Sequence, residues 1–305
     1  MDITVPTYQA IYQVLTAQFQ KGVTEANSGV FNPIMERAPS SSEQNLYNWL
    51  SYIPGLKEWY KGQPRTYRNV ETKQFNVFNR TFEDTLSIPI NDVEDNQLSQ
   101  YSKLAQMMGR TSALLPDQLI GELLNNGFST TLSYDGKAWF ADDHAVGLST
   151  VDNKRTAVLS STSYSEALTA IHGYTVQPDK DSTARPLNPM VKLVLVVPPQ
   201  LLNTARTIVE MEKNNYGADN VYYKTAEILV SPWLTSTSAW FLMNIGGGIA
   251  PVFFQERMKP ALIERTPANS DRAFNYDELI WGVKARGAAL PTFPWLAIGS
   301  TGEAS

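Results

Sequence analysis

Between residues 59 and 127 the apolar side chains follow one period and then switch to another, over a length too great for an ordinary globule. A first extended arm runs from about Tyr67 to Asn79, with Phe75 and Val77 on one face. A second carries Phe82, Leu86, Ile88 and Ile90 with polar residues between them, the period of two of a half-buried strand. Asn91-Asp-Val-Glu94 then has the form of a capping box, in which the N-cap and the glutamate three residues on satisfy free helix N–H groups. A helical period follows through Leu98, Tyr101, Leu104, Met108, Leu115, Leu119 and Leu123, the expected buried face of a long helix. It stops at Asn125-Asn126-Gly127, which suits a left-handed C-terminal cap, and Pro116 should kink or divide it.

About 35 helical residues span roughly 52 Å, and each arm of about 12 residues reaches roughly 40 Å. A compact chain of this length has a radius of gyration near ~19 Å, so the helix alone would cross the whole molecule. The two arms are expected to pair as a hairpin. If it projects, Trp59, Phe75, Phe78 and Phe82 expose apolar surface that an isolated ribbon cannot bury, and a neighbouring subunit is the simplest cover. The alternative is a hairpin folded back on its own core.

The 305 residues suffice for one large domain or two smaller ones with a substantial core. A net charge of −5 supplies no basic field for nucleic acid or anionic lipid, which argues against a dedicated DNA-binding protein but not against a container for DNA. There is no cysteine, so disulfides, zinc thiolates and thiol nucleophiles are excluded. The first residues lack the pattern of a secretory signal, and the apolar run Val191–Pro199 is too short to span a bilayer. The expectation is a soluble protein made in a cytoplasm.

Residues 1–60 read as an arm with a short amphipathic helix through Tyr8, Ile11, Tyr12, Leu15 and Phe19, ending near Lys21-Gly22. Further on, Ser163-Tyr-Ser-Glu166 has the capping-box spacing before another short helix. Val191–Val197 reads as a buried strand, and Pro198-Pro199 opens a helix to about Lys213. Ala226–Val230, Trp240–Ile245, Val252–Gln255 and a long segment from Phe274 to Arg286 are further strand candidates, so the fold class is α+β.

Chemistry is sparse. Asp142-Asp143-His144 is the one cluster with metal or acid–base potential, and a metal site needs more convergent ligands than it supplies. A loop of hydrogen-bonded aspartates accounts for it better, and a soluble metal-dependent hydrolase stays as a minor alternative. His172 sits at a helix end. Gly246-Gly247-Gly248 follows a strand but lacks the Lys-Ser/Thr of a phosphate loop. No catalytic, cofactor or metal residue is therefore assigned, and no enzyme activity is expected. Arg65, Arg68, Lys73 and Arg80 concentrate on the hairpin against an otherwise acidic balance. They either keep an exposed ribbon soluble or complement an acidic partner surface, which would set register more than affinity.

Several ordered segments carry a resemblance. They are Trp49-Leu50, Pro54-Gly-Leu-Lys-Glu-Trp59, Phe82-Glu-Asp-Thr85, Glu94-Asp95, Met108-Gly-Arg110, Tyr134-Asp-Gly-Lys-Ala-Trp-Phe140 with Asp143-His144, and Tyr276–Arg286. Together they resemble the major head subunits of Mu-like phages. The resemblance implies the Hong Kong 97-type capsid fold: an N-terminal arm, an extended hairpin loop, a peripheral domain with a long spine helix, and an axial domain. Mapped onto this chain, the arm is 1–60, the extended loop 61–91 and the spine-bearing peripheral part 92–144. The axial domain is then 145–250, and 251–305 returns to the peripheral domain and forms the tail.

The implied function is self-assembly into pentamers and hexamers of an icosahedral head shell, a virion component built in the host cytoplasm. Scaffolding, portal and decoration proteins are the implied partners. Double-stranded DNA would be enclosed without sequence-specific recognition, and no membrane or cofactor is involved. Trp59, Arg65, Arg68, Phe75, Phe78, Arg80 and Phe82 are the expected intersubunit contacts, with Trp59 an anchor at the arm–hairpin junction. Leu98, Tyr101, Leu104, Met108, Leu119 and Leu123 are the expected spine core. A cellular nanocompartment shell is the alternative within the same fold.

Overall fold

The computed structural model describes residues 5–26, 29–50, 61–62, 72–95, 98–177, 183–213, 217–264 and 275–303. Helix α1 (Val5–Glu25) leads into strands β1 (Met35–Pro39), β2 (Gln44–Leu50), β3 (Thr72–Phe78) and β4 (Arg80–Pro89). Helices α2 (Ile90–Glu94), α3 (Leu98–Ala113) and α4 (Leu115–Asn125) follow. Next come β5 (His144–Val146), β6 (Ser149–Val151), β7 (Lys154–Arg155), α5 (Ser161–Gly173), β8 (Thr175–Val176) and β9 (Arg185–Pro186). The chain finishes with β10 (Leu193–Val197), α6 (Leu202–Val209), β11 (Ala226–Val230), β12 (Trp240–Asn244), β13 (Val252–Glu264), β14 (Glu278–Pro291) and β15 (Ala297–Ser300).

Two sheets organise these elements. The first has the order β1-β13-β14-β4 and the second β11-β10-β12-β15-β7. Strand β10 is apolar at every position and buried throughout, as a central strand covered on both faces must be. Helices α5 and α6 cover one face of the second sheet, and α4 with Trp139 and Phe140 covers the other. The expected division at residue 250 would leave β15 with the first sheet. Its backbone instead pairs antiparallel with β12, so the chain end ties the two halves together.

The two extended arms do not pair with each other. Strand β3 pairs antiparallel with β2, from Gln44↔Phe78 to Leu50↔Thr72, and β4 pairs with β14 over ten residues, from Gly287↔Arg80 to Glu278↔Pro89. The ribbon is therefore β2–β3, and one of its strands comes from the segment assigned to the arm. Only Asn79 separates β3 from β4, so one strand changes partners at its middle. At the end of β4 the alternation holds: Leu86 and Ile88 are buried, and Ser87 between them and Pro89 after them are exposed.

The expected single helix is three segments. Helix α2 begins at Ile90 with Pro89 as N-cap and no side-chain cap, so Asn91 lies inside the helix and is not the expected N-cap. Pro116 has no N–H to bond back to residue 112, and the helix breaks at Leu114 between α3 and α4. Gly127 takes no left-handed conformation, contrary to expectation. Its Cβ would meet the Phe140 ring at 2.7 Å, and so would that of Gly299. Both glycines are close-approach residues that let the aromatic plug seat. The later capping box forms three residues earlier than expected: Ser160 Oγ accepts from the Ser163 N–H at 3.1 Å, and the Ser160 N–H donates to Ser163 Oγ at 2.9 Å.

Helix α1 is not a free arm. Ile11, Leu15 and Phe19 are buried against Ala105 and Met108 of α3 and against Leu86, Ile88 and Trp281 of the first sheet. The crossing is close because Gly22 and Gly109 meet the other helix's backbone. Their Cβ atoms would lie 2.0 Å from the Gln106 carbonyl oxygen and 2.1 Å from the Phe19 carbonyl oxygen.

Candidate functional site

The cluster Asp142-Asp143-His144 is not assembled as a metal site. His144 is fully buried. Its Nδ1 lies 2.8 Å from Asp135 Oδ2 and its Nε2 3.0 Å from the Trp139 carbonyl oxygen, so both ring nitrogens face acceptors. Asp142 and Asp143 are exposed, and Asp143 pairs with Lys137 at 2.6 Å. Burial opposes ionisation of Asp135, but the hydrogen bond and charge of His144 and the Lys137 N–H outweigh it, holding this carboxyl below its ordinary range. The motif Tyr134–Phe140 thus ends in a structural latch. His172 is exposed in the last turn of α5. Among the described residues no group of three or more metal-ligating side chains converges.

The surfaces that stand out belong to the β2–β3 ribbon. Cross-strand partners share a face, so Tyr47, Phe75 and Val77 face inward while Gln44, Leu46, Asn76 and Phe78 face outward. Phe75 is half-buried and Val77 buried against the core beneath, whereas Phe78 is 61% and Leu46 48% exposed. The ribbon's root crosses the first sheet. The Tyr47 hydroxyl donates to Gln255 Oε1 at 2.9 Å, and Gln255 Nε2 donates to Asn79 Oδ1 at 2.8 Å. A groove between ribbon and α4 is lined by Phe75, Val77, Leu119, Leu123, Leu132 and Leu290.

The other expected contact residues divide. Arg80 meets an acid within its own chain, donating to both Glu122 oxygens at 2.9 and 2.8 Å while lying over the Phe82 ring. Phe82 itself packs half-buried against Leu115, Leu119 and Phe254. Trp59, Arg65 and Arg68 lie outside the described residues. On the spine, Met108, Leu119 and Leu123 are buried, Tyr101 is half-buried with its hydroxyl on Asp92, and Leu98 is the first residue of α3. Leu104 is not core. It is 40% exposed beside the 64% exposed Met107, because α1 and the sheet take the opposite side of α3.

Sequence reasoning missed Asp117, almost fully buried in the first turn of α4, where its carboxylate accepts from the Val30 and Phe31 N–H groups at 2.9 and 3.1 Å. It also missed Gln255. The available signal was a polar residue inside the apolar run Val252-Phe-Phe-Gln255.

A ribbon with Leu46 and Phe78 exposed on its outer face, a proline-broken spine and two sheets tied together by β15 are the architecture of a shell-forming subunit of the phage capsid type. The chain belongs to the Mu-like prophage major head subunit family (gpT), whose family model matches residues 8–172, 154–234 and 235–304. It is therefore a major capsid protein, the component that forms the head shell. It is 28% identical over 303 residues to the major capsid protein of Escherichia phage Mu, covering 99% of this chain and 76% of that one. The procapsid subunit of bacteriophage JBD30 matches with a TM-score of 0.56 at 23% identity, covering 97% of this chain and 76% of that chain. The subunit of the JBD30 capsid decorated with minor capsid protein trimers matches with a TM-score of 0.56 at 22% identity, covering 68% and 91%. Both structures share the Hong Kong 97-type fold. Among the described residues no helix is long and apolar enough to cross a membrane.

Proposed function

We propose that this head subunit assembles with copies of itself into pentamers and hexamers of a closed shell, and that the β2–β3 ribbon of one copy lies over the first sheet of its neighbour. Helices α3 and α4 act as the spine, and the half built on the five-stranded sheet faces the capsomer axis. The observation that carries this reading is the ribbon's outer face, where Leu46 and Phe78 stand exposed on an element too narrow to bury both of its sides. The connecting residues 51–71 add Trp59 and the cations Lys57, Lys61, Arg65 and Arg68 against only Glu58 and Glu71. On a chain of net charge −5 that local excess suits an acidic neighbour and sets register.

The enclosed cargo in this reading is double-stranded DNA held without sequence recognition. An acidic subunit makes a wall around DNA and does not grip it. Scaffolding and portal proteins would direct assembly in the host cytoplasm, and a decoration protein would bind the finished shell, as minor capsid protein trimers do on JBD30. The absence of cysteine fits assembly in a reducing compartment.

The test is to replace residues 51–71 with an Asn-Gly turn and Leu46 and Phe78 with serine, which removes the connecting segment and the exposed apolar side chains and leaves both sheets intact. The variant is expected to yield folded monomers or open oligomers by sedimentation and particle imaging. Closed shells of normal size would refute the clasp.

A further inference from the structure

Beneath the root of the ribbon lies a buried amide that packing alone does not require. Gln255 is fully buried on β13, two residues from Phe253, whose ring meets that of Tyr47. Its Oε1 accepts from the Tyr47 hydroxyl of β2. Its Nε2 donates to Asn79, the residue at which the strand leaves the ribbon and enters the sheet, and faces the Val77 carbonyl of β3 at 3.5 Å. One side chain thus touches both ribbon strands and the joint between ribbon and sheet. Asn79 extends the network to the β1–β2 corner, where its Nδ2 donates to Ser40 Oγ at 2.9 Å and to the Ser42 carbonyl at 2.8 Å. Its own N–H donates to the Glu43 carbonyl at 3.0 Å.

We propose that Gln255 is a positioning residue for shell assembly: its amide fixes the direction in which the ribbon leaves the sheet. The assembly part of this rests on the reading that the ribbon bridges copies. The inward contacts of Tyr47, Phe75 and Val77 are apolar in the main, and apolar contact is non-directional. Those contacts alone would let the ribbon pivot about its root at small cost. An amide whose donor and acceptor ends are both engaged admits one arrangement, because any pivot strands buried polar groups that gain little when paired and cost more when left unpaired. Slippage between β2 and β3 is already opposed, since a one-residue shift would turn Tyr47 and Val77 outward. What strand register leaves unset is the angle over the sheet, and Gln255 supplies it. A buried polar group can select one arrangement while adding little to stability, as a single core asparagine does in coiled coils.

The test uses Gln255→Met, which keeps volume and removes the hydrogen bonds, in the unassembled full-length subunit. Amide exchange read by peptide mass spectrometry should accelerate roughly thirtyfold in residues 44–50 and 72–78, the effect of two hydrogen bonds of ordinary net strength. Exchange in β10 and β12 should not change. Under assembly conditions the variant should give particles of mixed size. Tyr47→Phe, which removes only a hydroxyl, should give the same ribbon-selective effect at about fivefold and serves if the Met variant does not fold. Combined with Gln255→Met it should add nothing further. Unchanged ribbon exchange, or acceleration spread evenly over the subunit, would overturn the positioning role. A selectively loosened ribbon that still builds uniform shells would overturn its part in assembly. Failure of the clasp itself is read separately, from closed shells formed by the variant without the connecting segment and the exposed Leu46 and Phe78 side chains.

Discussion

Replacing Asp117 with alanine should remove more stability than any surface change on this subunit. The carboxylate is 1% exposed, lies in the first turn of α4 and accepts from two backbone N–H groups, those of Val30 and Phe31. It has a helix dipole behind it and covers Gly29, whose Cβ would sit 2.7 Å from Oδ1. Phe31 and Ile34, just downstream, are fully buried against α4, so this anchor fixes the turn that delivers them. A hydrogen bond to a charged acceptor contributes about 1.5–3 kcal/mol, and truncation leaves two donors unpaired. The expected loss is about 3–5 kcal/mol. Asp117→Asn keeps one acceptor and turns an NH₂ toward the other donor, so it should lose roughly half as much. Urea unfolding of unassembled subunits provides the assay. With a slope of roughly 3 kcal/mol/M, Asp117→Ala should lower the midpoint by about 1–1.7 M at unchanged slope. Amide exchange in residues 29–34 should rise first. A loss under about 1 kcal/mol, or equal losses for both variants with exchange at 29–34 unaltered, would refute the reasoning.

Gly109→Ala should cost about 1–3 kcal/mol and raise exchange in α1, since its Cβ would lie 2.1 Å from a backbone oxygen and the helix must move. Melting of the subunit checks it, and a neutral result would mean that the two helices part freely. Arg80→Ala should cost less than about 1 kcal/mol by the same melts, because the Arg80–Glu122 pair is half exposed and screened. Acidification should weaken the Asp135–His144 latch. A carboxyl held below its ordinary value of 3.8 stabilises the fold fully above that value and loses the contribution as pH falls through the lower folded value. Wild type should therefore lose stability more steeply below about pH 4 than Asp135→Asn, and parallel melting-against-pH curves would argue against the latch.

Much of this fold was legible in one sequence where a pattern is local. The apolar run at β10, the alternation of Leu86 and Ile88 and the division of the spine at Pro116 each follow from residues a few positions apart. Errors arose wherever the deciding partner was distant. Leu104 fits the helical period as well as Met108 does, yet α1 chose which side of α3 to cover. Gly127 reads as a cap, but the Phe140 ring decides its role. His144 stands next to Asp142 and Asp143 in the chain, while its carboxylate partner is Asp135 across a turn.

The long alternating and helical stretches between residues 72 and 125 were determined by the sequence alone, because side-chain period is a property of the strand and of the helix themselves. The partners of those stretches were decided only in the tertiary structure. A strand exposes the same hydrogen-bonding groups on both edges, so nothing local told β3 to pair with β2 and β4 with β14. That choice turns a supposed hairpin into a ribbon carried on the corner of a sheet, and it places a buried glutamine at the pivot.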